Sequence, residues 1–231
     1  MNLKLIVALD FSSANDAFAL VEKLNPDQCA LKVGSEMFTL LGSDFVRKLI
    51  KLGFKIFLDL KFHDIPNTVA QACRASAELG VWMVNIHASG GLTMMKAAKK
   101  ALEPYGANRP LLIAVTLLTS MGAEDLPTLG LNSSVEEQVK RLAILAKEAE
   151  LDGVVCSAHE VPMLKQTCGS SFLTITPGIR LIGDKADDQT RIMTPSQAIQ
   201  LGSDFLVVGR SITAAPEPEK IVRELLVTIN G

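Results

Sequence analysis

The sequence predicts an α/β protein of one domain, residues 1–231, folded as a (β/α)8 TIM barrel. Eight short apolar runs rich in β-branched or aromatic residues recur about every 25 to 30 residues, which is the spacing of successive βα units. Helix signals lie between the runs, and the runs are apolar on both faces, as in a parallel sheet covered by helices. The length of 231 residues is ordinary for one such barrel.

The predicted strands follow one another along the whole chain. They are residues 4–10, 29–34, 54–61, 81–88, 111–119, 152–158, 172–178 and 204–210. An open doubly wound sheet is the alternative, but such a sheet usually has a glycine-rich dinucleotide-binding turn after its first strand. Here that turn reads DFSSANDAF, so a closed barrel is favoured.

Capping residues mark helix boundaries between the strands. Ser133 and Glu136 form a predicted capping box that opens an amphipathic helix. Thr194 and Pro195 are predicted as the N-cap and the first position of a later helix. Glycines expected to end helices stand shortly before three strands, at Gly53, Gly80 and Gly202.

The composition argues against several classes of protein. The formal net charge of −2, the single Trp, the single Tyr and the lack of a Lys/Arg block argue against nucleic-acid binding. No apolar run is long enough to span a membrane and no cleavable leader is evident, so we expect a cytoplasmic protein. The four cysteines have no CxxC spacing and are expected to be buried thiols, and no His/Cys/Asp spacing suggests a metal site.

Polar residues collect at the carboxyl ends of the predicted strands, where barrel enzymes place their active sites. The rim residues are Asp10, Lys32, Asp59, Lys61, Asp64, His87, Thr119, Ser120, Ser157, Arg180, Gly209 and Arg210. Asp59 and Lys61 are two apart on one strand with leucines at the alternating positions, so both should point into the barrel. A structural ion pair is the alternative, but buried pairs stabilise poorly, and Lys32 and Asp64 extend the array.

Carboxylates around Lys61 favour its charged form, which makes it a poor Schiff-base amine but a well-placed proton donor. The predicted chemistry is therefore protonation of a carbanion-like centre. The same carboxylates would repel a substrate carboxylate and would be relieved when it leaves as carbon dioxide. His87 is interpreted as an orienting or packing residue rather than a catalyst.

A long polar connection, residues 176–193, follows the seventh strand, and loops of this length are usually lids or disordered segments. It faces the segment after the eighth strand, where Gly209 and Arg210 lie. Arg180 and Arg210 should therefore converge with main-chain amides on the usual phosphate pocket of such barrels. Solvated surface arginines are the alternative.

These motifs together resemble the orotidine 5'-monophosphate decarboxylase family over essentially the full length. The resemblance rests on VALD with Asp10, LKVG with Lys32, DLKFHDIPNT from Asp59 to Thr68, HASGG, TLLTS, PGIR, Gln189 and VVGR, in the family's order. The third-strand pattern DxKxxDIxxT is highly specific.

The resemblance implies a decarboxylase without cofactor or metal, which converts orotidine 5'-monophosphate (OMP) into uridine 5'-monophosphate (UMP) and carbon dioxide in pyrimidine synthesis. By this resemblance Lys61 protonates ring C6 beside Asp59, and the enzyme is a homodimer in which Asp64 and Thr68 reach the partner's site. Substrate-binding roles are implied for Asp10 and Lys32 at the ribose, Thr119 and Ser120 at the pyrimidine, Gln189 between ring and phosphate, and Arg180, Gly209 and Arg210 at the phosphate.

Two other functions stay open at this stage. A metal-dependent sugar-phosphate decarboxylase or synthase of the same superfamily would share DxKxxD, but it would have a metal-binding Glu in place of Lys32. A non-catalytic nucleotide-phosphate sensor would not need Asp59, Lys61 and Asp64 together. The cation at Lys32 and the intact carboxylate–lysine set favour the nucleotide decarboxylase.

Overall fold

Parallel strands close into a barrel in the computed structural model, which describes residues 3–181 and 193–230. The strands are β1 (Leu5–Leu9), β2 (Ala30–Gly34), β3 (Ile56–Phe62), β4 (Met83–His87), β5 (Leu111–Val115), β6 (Gly153–Val155), β7 (Leu173–Thr176) and β8 (Phe205–Val208). Each strand pairs in parallel with the next along the chain, and β8 pairs with β1. The predicted strands and the (β/α)8 barrel are confirmed.

Helices connect the strands and cover the outside of the barrel. Among the described residues they are α1 (Ala14–Val21), α2 (Ser35–Lys51), α3 (Pro66–Leu79), α4 (Gly91–Leu102), α5 (Asp125–Thr128), α6 (Val135–Glu148), α7 (Val161–Cys168), α8 (Pro195–Gln200), α9 (Arg210–Thr213) and α10 (Pro218–Asn230). Within the ranges that the structure describes, none of these helices is long and apolar enough to cross a membrane.

The predicted helix boundaries are confirmed at α8 and α3 and are one residue off at α6. Thr194 caps α8 with Pro195 in its first turn, and Gly80 ends α3 with a φ of +86°. The capping box of α6, however, is formed by Ser134, whose N–H donates to Glu137 at 2.8 Å. The prediction of Ser133 and Glu136 was wrong because the doubled Ser-Ser and Glu-Glu pairs satisfy the motif in two frames.

Two apolar clusters make up the core. The larger one lies between the barrel and its helices. The smaller one fills the barrel interior with Ile6, Ala8, Ala30, Phe57, Met83, Ile113, Ile175 and Val207. These apolar side chains fill the amino-terminal part of the barrel interior. Polar residues that come later on the strands therefore lie at its carboxyl end.

Aromatic rings and ion pairs close the opposite, amino-terminal end. The rings of Trp82 and Phe205, at the starts of β4 and β8, meet edge to face with centroids 5.3 Å apart. Asp152, just before β6, accepts two hydrogen bonds of 2.6 Å from Arg109. Asp204, just before β8, accepts one of 2.6 Å from Lys165. Such contacts at this end serve stability rather than catalysis.

The four cysteines are buried, as predicted, and no disulfide joins them in the part of the chain described, which includes all four. Burial raises the pKa of the Cys29 and Cys73 thiols to about 12. These thiols therefore stay protonated at neutral pH and act as small packing groups.

Candidate active site

Strand β3 ends in an irregular segment that shapes the site. Its pairing with β4 is regular up to Leu58 and Val84 and resumes at Phe62 and Ile86, so the longer step on β3 forms a bulge. Lys61 lies in this bulge with a φ of +51°, in the left-handed region that lysine rarely adopts. Such a backbone costs roughly 1–2 kcal/mol and is typical of functional positions.

The bulge brings Lys61 back onto Asp59. The Nζ atom of Lys61 lies 2.8 Å from Oδ1 of Asp59, and both side chains line the cavity at the barrel mouth. Leu58 and Leu60 pack toward the helices. The predicted juxtaposition is therefore present, although Lys61 does not have the extended backbone that simple strand alternation assumes.

A row of alternating charges crosses the carboxyl ends of the first three strands. Lys32 Nζ lies 3.2 Å from Asp10 Oδ1 and 3.3 Å from Asp59 Oδ2. The side chains of Lys32 and Asp59 are only 12% and 11% exposed, whereas that of Lys61 is 35% exposed. Both lysines line the cavity, and Lys61, at the end of the row, has the more exposed side chain.

Mutual attraction keeps the buried pair of this row ionised. Burial by itself would raise the pKa of the Asp59 carboxyl, but the charges of Lys32 and Lys61 outweigh it and hold that pKa below its usual range. Burial would lower the pKa of Lys32, but Asp59 and Asp10 outweigh it and raise that pKa. Asp59 and Lys32 are therefore both charged at neutral pH.

Asn85 also contacts this row and was absent from the sequence prediction. It is fully buried on β4, where its Nδ2 donates to Asp59 Oδ1 at 2.6 Å and its Oδ1 accepts from the N–H of Lys61 at 2.8 Å. A signal was available, because Asn85 is a lone amide in the apolar run VWMVNIHA. It stands two residues after Met83, which points into the barrel, and so it shares that inward face.

A cavity of about 570 Å³ opens above the charged row, within the size range of small-molecule sites. Predicted site residues that line it are Asp10, Lys32, Asp59, Lys61, Thr119, Ser120, Arg180, Gly209 and Arg210. Apolar walls are supplied by side chains such as Phe57, Val115, Leu118, Val155 and Val207. The cavity therefore combines a charged end, apolar walls that suit a flat ring, and arginines.

Main-chain hydrogen bonds hold the backbone of Arg180 in place. Its N–H donates to the carbonyl of Met193 at 3.1 Å, and the N–H of Met193 donates to the carbonyl of Gly178 at 3.2 Å. The Arg180 side chain is buried, with Nη1 3.4 Å from the carbonyl of Ile179. Arg180 is thus not a solvated surface arginine, and it lines the same cavity as Arg210.

Two predicted substrate-site residues in the described ranges, Asp64 and Thr68, do not line the cavity. Asp64 and Thr68 are exposed where α3 begins, and Asp64 Oδ1 accepts from the N–H of Ile65 at 2.6 Å. Gln189 lies outside the described residues, as does most of the connection between β7 and α8.

His87 packs against His63 beside the site, with ring centroids 5.4 Å apart and the rings tilted by 38°. Burial first, and then the charges of His63 and Lys61, lower the pKa of His87, so its imidazole is neutral at pH 7. Within residues 3–181 and 193–230, no group of three or more His, Cys, Asp or Glu side chains is arranged to hold a metal ion.

The fold and the cavity together define a TIM-barrel enzyme whose site contains a lysine–carboxylate row and two arginines. A family model described as "Orotidine 5'-phosphate decarboxylase / HUMPS family" matches residues 3–225. The chain belongs to this family.

Relatives named orotidine 5'-phosphate decarboxylase match nearly the whole chain. A Legionella pneumophila (strain Paris) orotidine 5'-phosphate decarboxylase is 60% identical over 226 residues, 98% of this chain and 99% of the relative. One from Vibrio cholerae is 60% identical over 222 residues, 96% of each chain. The crystal structure of orotidine 5'-phosphate decarboxylase from Lactobacillus acidophilus matches with a TM-score of 0.89 at 40% identity, over 99% of this chain and 100% of that one.

Proposed function

We propose that the chain decarboxylates OMP to UMP and carbon dioxide, with Lys61 as the proton donor to ring carbon C6, as a cytoplasmic step of pyrimidine nucleotide synthesis. The observation that supports this most directly is the position of Lys61. Its ammonium group faces the cavity at the end of the charged row and lies 2.8 Å from Asp59. The names of the relatives at 60% identity support the same reaction.

The proposed reaction needs one proton and no redox step. The bond between C6 and the carboxylate carbon breaks, carbon dioxide leaves, and the electron pair stays on C6. Nζ of Lys61 then gives its proton to C6, which yields UMP and a neutral amine that regains a proton from water. Because no adjacent group can absorb the electron pair, the site must work near the upper end of the roughly 8–23 kcal/mol of barrier lowering that enzymes supply.

Preorganised charge is the main source of that stabilisation in our proposal. Lys32 and Asp59 are buried, ionised and mutually paired, so their arrangement need not change as the reaction proceeds. Lys61 faces the developing carbanion with a full positive charge and at the same time holds the proton that quenches it. Asp59 keeps that ammonium group oriented through the 2.8 Å contact.

Binding energy from the phosphate supports the chemistry at the ring. We assign Arg180, Gly209 and Arg210 to the phosphate and Asp10 and Lys32 to the ribose, because all five line one cavity, in which guanidinium groups suit a phosphate and the Asp10–Lys32 pair suits hydroxyl groups. Thr119 and Ser120, with the apolar walls, are assigned to the pyrimidine ring. A remote phosphate held by two guanidinium groups can position the ring against Lys61 and raise the turnover rate. Gln189 is proposed to join ring and phosphate.

Lys32 separates this reaction from the metal-dependent sugar-phosphate chemistry. Its ammonium group lies 3.2 and 3.3 Å from Asp10 and Asp59, the two carboxylates that could otherwise attract a divalent cation. A metal ion at this place would have to displace a buried cation that is hydrogen-bonded to both. The row of charges therefore fits a nucleotide decarboxylase better than a magnesium enzyme.

We also propose that the chain works as a homodimer in which Asp64 and Thr68 complete the partner's site. Both residues are exposed beside the barrel mouth, and the neighbouring Ile65 is 67% exposed. Residues that reach into a partner's site must be exposed in the single chain, and Asp64 and Thr68 meet this requirement. Two identical copies would exchange these residues around a twofold axis.

Mixing two inactive variants tests the shared site. Lys61→Ala and Asp64→Ala homodimers should each lack turnover. A mixed dimer would contain one site with both native residues, so an equal mixture after subunit exchange should regain about a quarter of the wild-type activity. Sedimentation of the wild type provides the dimer mass. Failure to regain activity in a mixture shown to contain mixed dimers would exclude a shared site.

The reaction itself is tested by following OMP by ultraviolet absorbance with purified protein in EDTA. We expect conversion to UMP by the wild type and by Lys55→Ala, a matched lysine variant at the opposite end of the barrel. Lys61→Ala should lose about 100- to 10,000-fold or more in turnover while still binding UMP. Turnover of a keto-sugar phosphate with magnesium instead of OMP would support the metal-dependent alternative, and UMP binding without turnover would support a sensor.

A further inference from the structure

Asn85 joins β4 to the bulge of β3, and we propose that it is a positioning residue that holds both Lys61 and Asp59 in their reactive geometry. The inference rests on the proposed function, in which Lys61 is the proton donor. Neither the sequence motifs nor the residues that line the cavity include Asn85, because it lies beneath the charged row rather than in it.

The first contact fixes the backbone of Lys61. Pairing between β3 and β4 is interrupted between Leu58 and Phe62, so the bulge departs from the regular ladder of hydrogen bonds. The Lys61 N–H donates instead to Oδ1 of Asn85 at 2.8 Å, so that a side-chain amide takes the place of a main-chain carbonyl. This bond holds a left-handed lysine, with a φ of +51°, in the conformation that returns its Nζ to Asp59.

The second contact fixes the carboxylate. Nδ2 of Asn85 donates at 2.6 Å to Oδ1 of Asp59, the same oxygen that Lys61 Nζ approaches to 2.8 Å. The other oxygen, Oδ2, faces Lys32 at 3.3 Å. Because both oxygens of Asp59 have partners, the rotation of its carboxylate is fixed. Asn85 binds both this carboxylate and the backbone of Lys61, so it fixes the position of one relative to the other.

An amide is the group that meets both demands. It offers a donor to Asp59 and an acceptor to the N–H of Lys61 at once, and Asn85 is 0% exposed, so bulk water does not reach it to replace either bond. Leucine has a similar volume but neither function. An ionised aspartate keeps the acceptor, loses the donor, and places a negative charge against Asp59.

Two variants test the inference by separating turnover from binding. In Asn85→Leu and Asn85→Asp at pH 8, kcat for OMP should fall about 10- to 100-fold, as is usual when a group that orients a reacting residue is lost. Affinity for UMP should change little, because Asn85 does not line the cavity that Arg180 and Arg210 line. Ser76→Ala is the control: it removes another buried polar contact, a 2.8 Å bond to the carbonyl of Ala72 on α3, and should leave kcat unchanged.

The pH dependence of Asn85→Asp distinguishes positioning from a merely structural role. Asn85 contacts Asp59 and Lys61 from β3. The other charged or titratable groups around it act on these two residues: Lys32 from β2 pairs with Asp59, and His87 on β4, with His63 beside it, interacts with Lys61 and Asp59. Its register neighbour on β5 is the apolar Ile113. Burial and contact with Asp59 raise the pKa of the introduced carboxyl, and the two lysines oppose this. Once protonated, that carboxyl has a donor and an acceptor in nearly the geometry of the amide.

The ratio of kcat for Asn85→Asp to that of the wild type should therefore rise as the pH falls from 8 to 5.5, while the ratio for Asn85→Leu stays flat. Wild-type turnover is measured first, so that failure of the proposed reaction is recognised separately. If the wild type is active and the variants keep its kcat, or if the Asn85→Asp ratio is flat while melting temperatures drop, Asn85 does not position the lysine. If Asn85→Leu does not fold, the pH dependence of the kcat ratio of the near-isosteric Asn85→Asp to the wild type is the test of the proposal.

Discussion

Replacing Lys61 by glycine should give a protein at least as stable as replacing it by alanine, which reverses the usual order of these two residues in a strand. The reason is the φ of +51° at Lys61. Alanine keeps a Cβ atom and hence the strain of the left-handed region, whereas glycine has none. Both changes remove the ammonium group and its contact with Asp59, so their difference isolates the backbone.

The size of the effect follows from two opposing terms. The left-handed conformation costs an L-residue roughly 1–2 kcal/mol, and the greater freedom of glycine in the unfolded chain costs roughly 0.4–1 kcal/mol. The free energy of unfolding of Lys61→Gly should therefore exceed that of Lys61→Ala by about 0 to 1.5 kcal/mol. Phe62, the next residue of β3, is not among the residues with positive φ, so there glycine should be about 0.5–1 kcal/mol less stable than alanine.

Urea unfolding of the four variants, followed by circular dichroism at one protein concentration, measures both differences. Both Lys61 variants should also lack turnover. That result would show that the residue with the strained backbone is required for catalysis. If the Lys61 pair shows the same order and size of difference as the Phe62 pair, the left-handed backbone stores no strain and the reasoning is refuted.

Three further outcomes are expected from other parts of the molecule. Glu150→Gly should raise the melting temperature by about 2–4 °C without changing kcat, since Glu150 is exposed after α6 with a φ of +59°; a lower melting temperature would contradict this. Asp152→Asn should lower the free energy of unfolding by about 1–3 kcal/mol at pH 7, because it disrupts the paired hydrogen bonds from Arg109. Burial would raise the pKa of Asp152, but the hydrogen bonds from Arg109 and from the N–H of Leu112 outweigh burial and lower that pKa below the ordinary value of 3.8. The stabilisation is therefore complete above pH 3.8, where Asp152 is ionised even in the unfolded chain, and is lost as the pH falls through the pKa of the folded state. Asp152→Asn should accordingly flatten the acid side of the melting profile, and an unchanged acid side would argue against the ion pair. Arg210→Ala should weaken UMP binding about 10- to 100-fold but leave uridine binding unchanged, and an equal loss for both ligands would place Arg210 away from the phosphate.

The barrel could be predicted from the sequence because its signals are local. Each strand is a short, largely apolar run, and these runs repeat at the spacing of a βα unit. The start of α6 was missed by one residue because SSVEE fits a capping box in two frames, and local sequence does not choose between them. The choice depends on which residues the helix buries against the barrel.

The site was predictable residue by residue but not in its internal geometry. Lys32, Asp59 and Lys61 stood out because charges near the carboxyl ends of otherwise apolar strands are unusual. The bulge at Lys61 and the hydrogen bond from Lys61 to Asn85 depend on the register in which β3 pairs with β4. The sequence of either strand alone does not predict that register. The roles of Asp64 and Thr68 need a second chain, so they stay predictions until a dimer is examined.

The two ends of this barrel use buried charge for opposite purposes. At the amino-terminal end, Asp152 and Asp204 lie against strand starts and accept hydrogen bonds from the main chain as well as from a cation, so their charges are neutralised within the fold. At the carboxyl end, Asp59 is equally well bonded, yet its partner Lys61 is strained, one-third exposed and turned toward a cavity. Substitutions at the first end should therefore change stability with little effect on turnover. Those at the second should reduce turnover or substrate binding, and a change that relieves the left-handed backbone, such as Lys61→Gly, should be at least as stable as one that keeps it, such as Lys61→Ala, because that strain follows from holding Lys61 where the proposed reaction needs a proton.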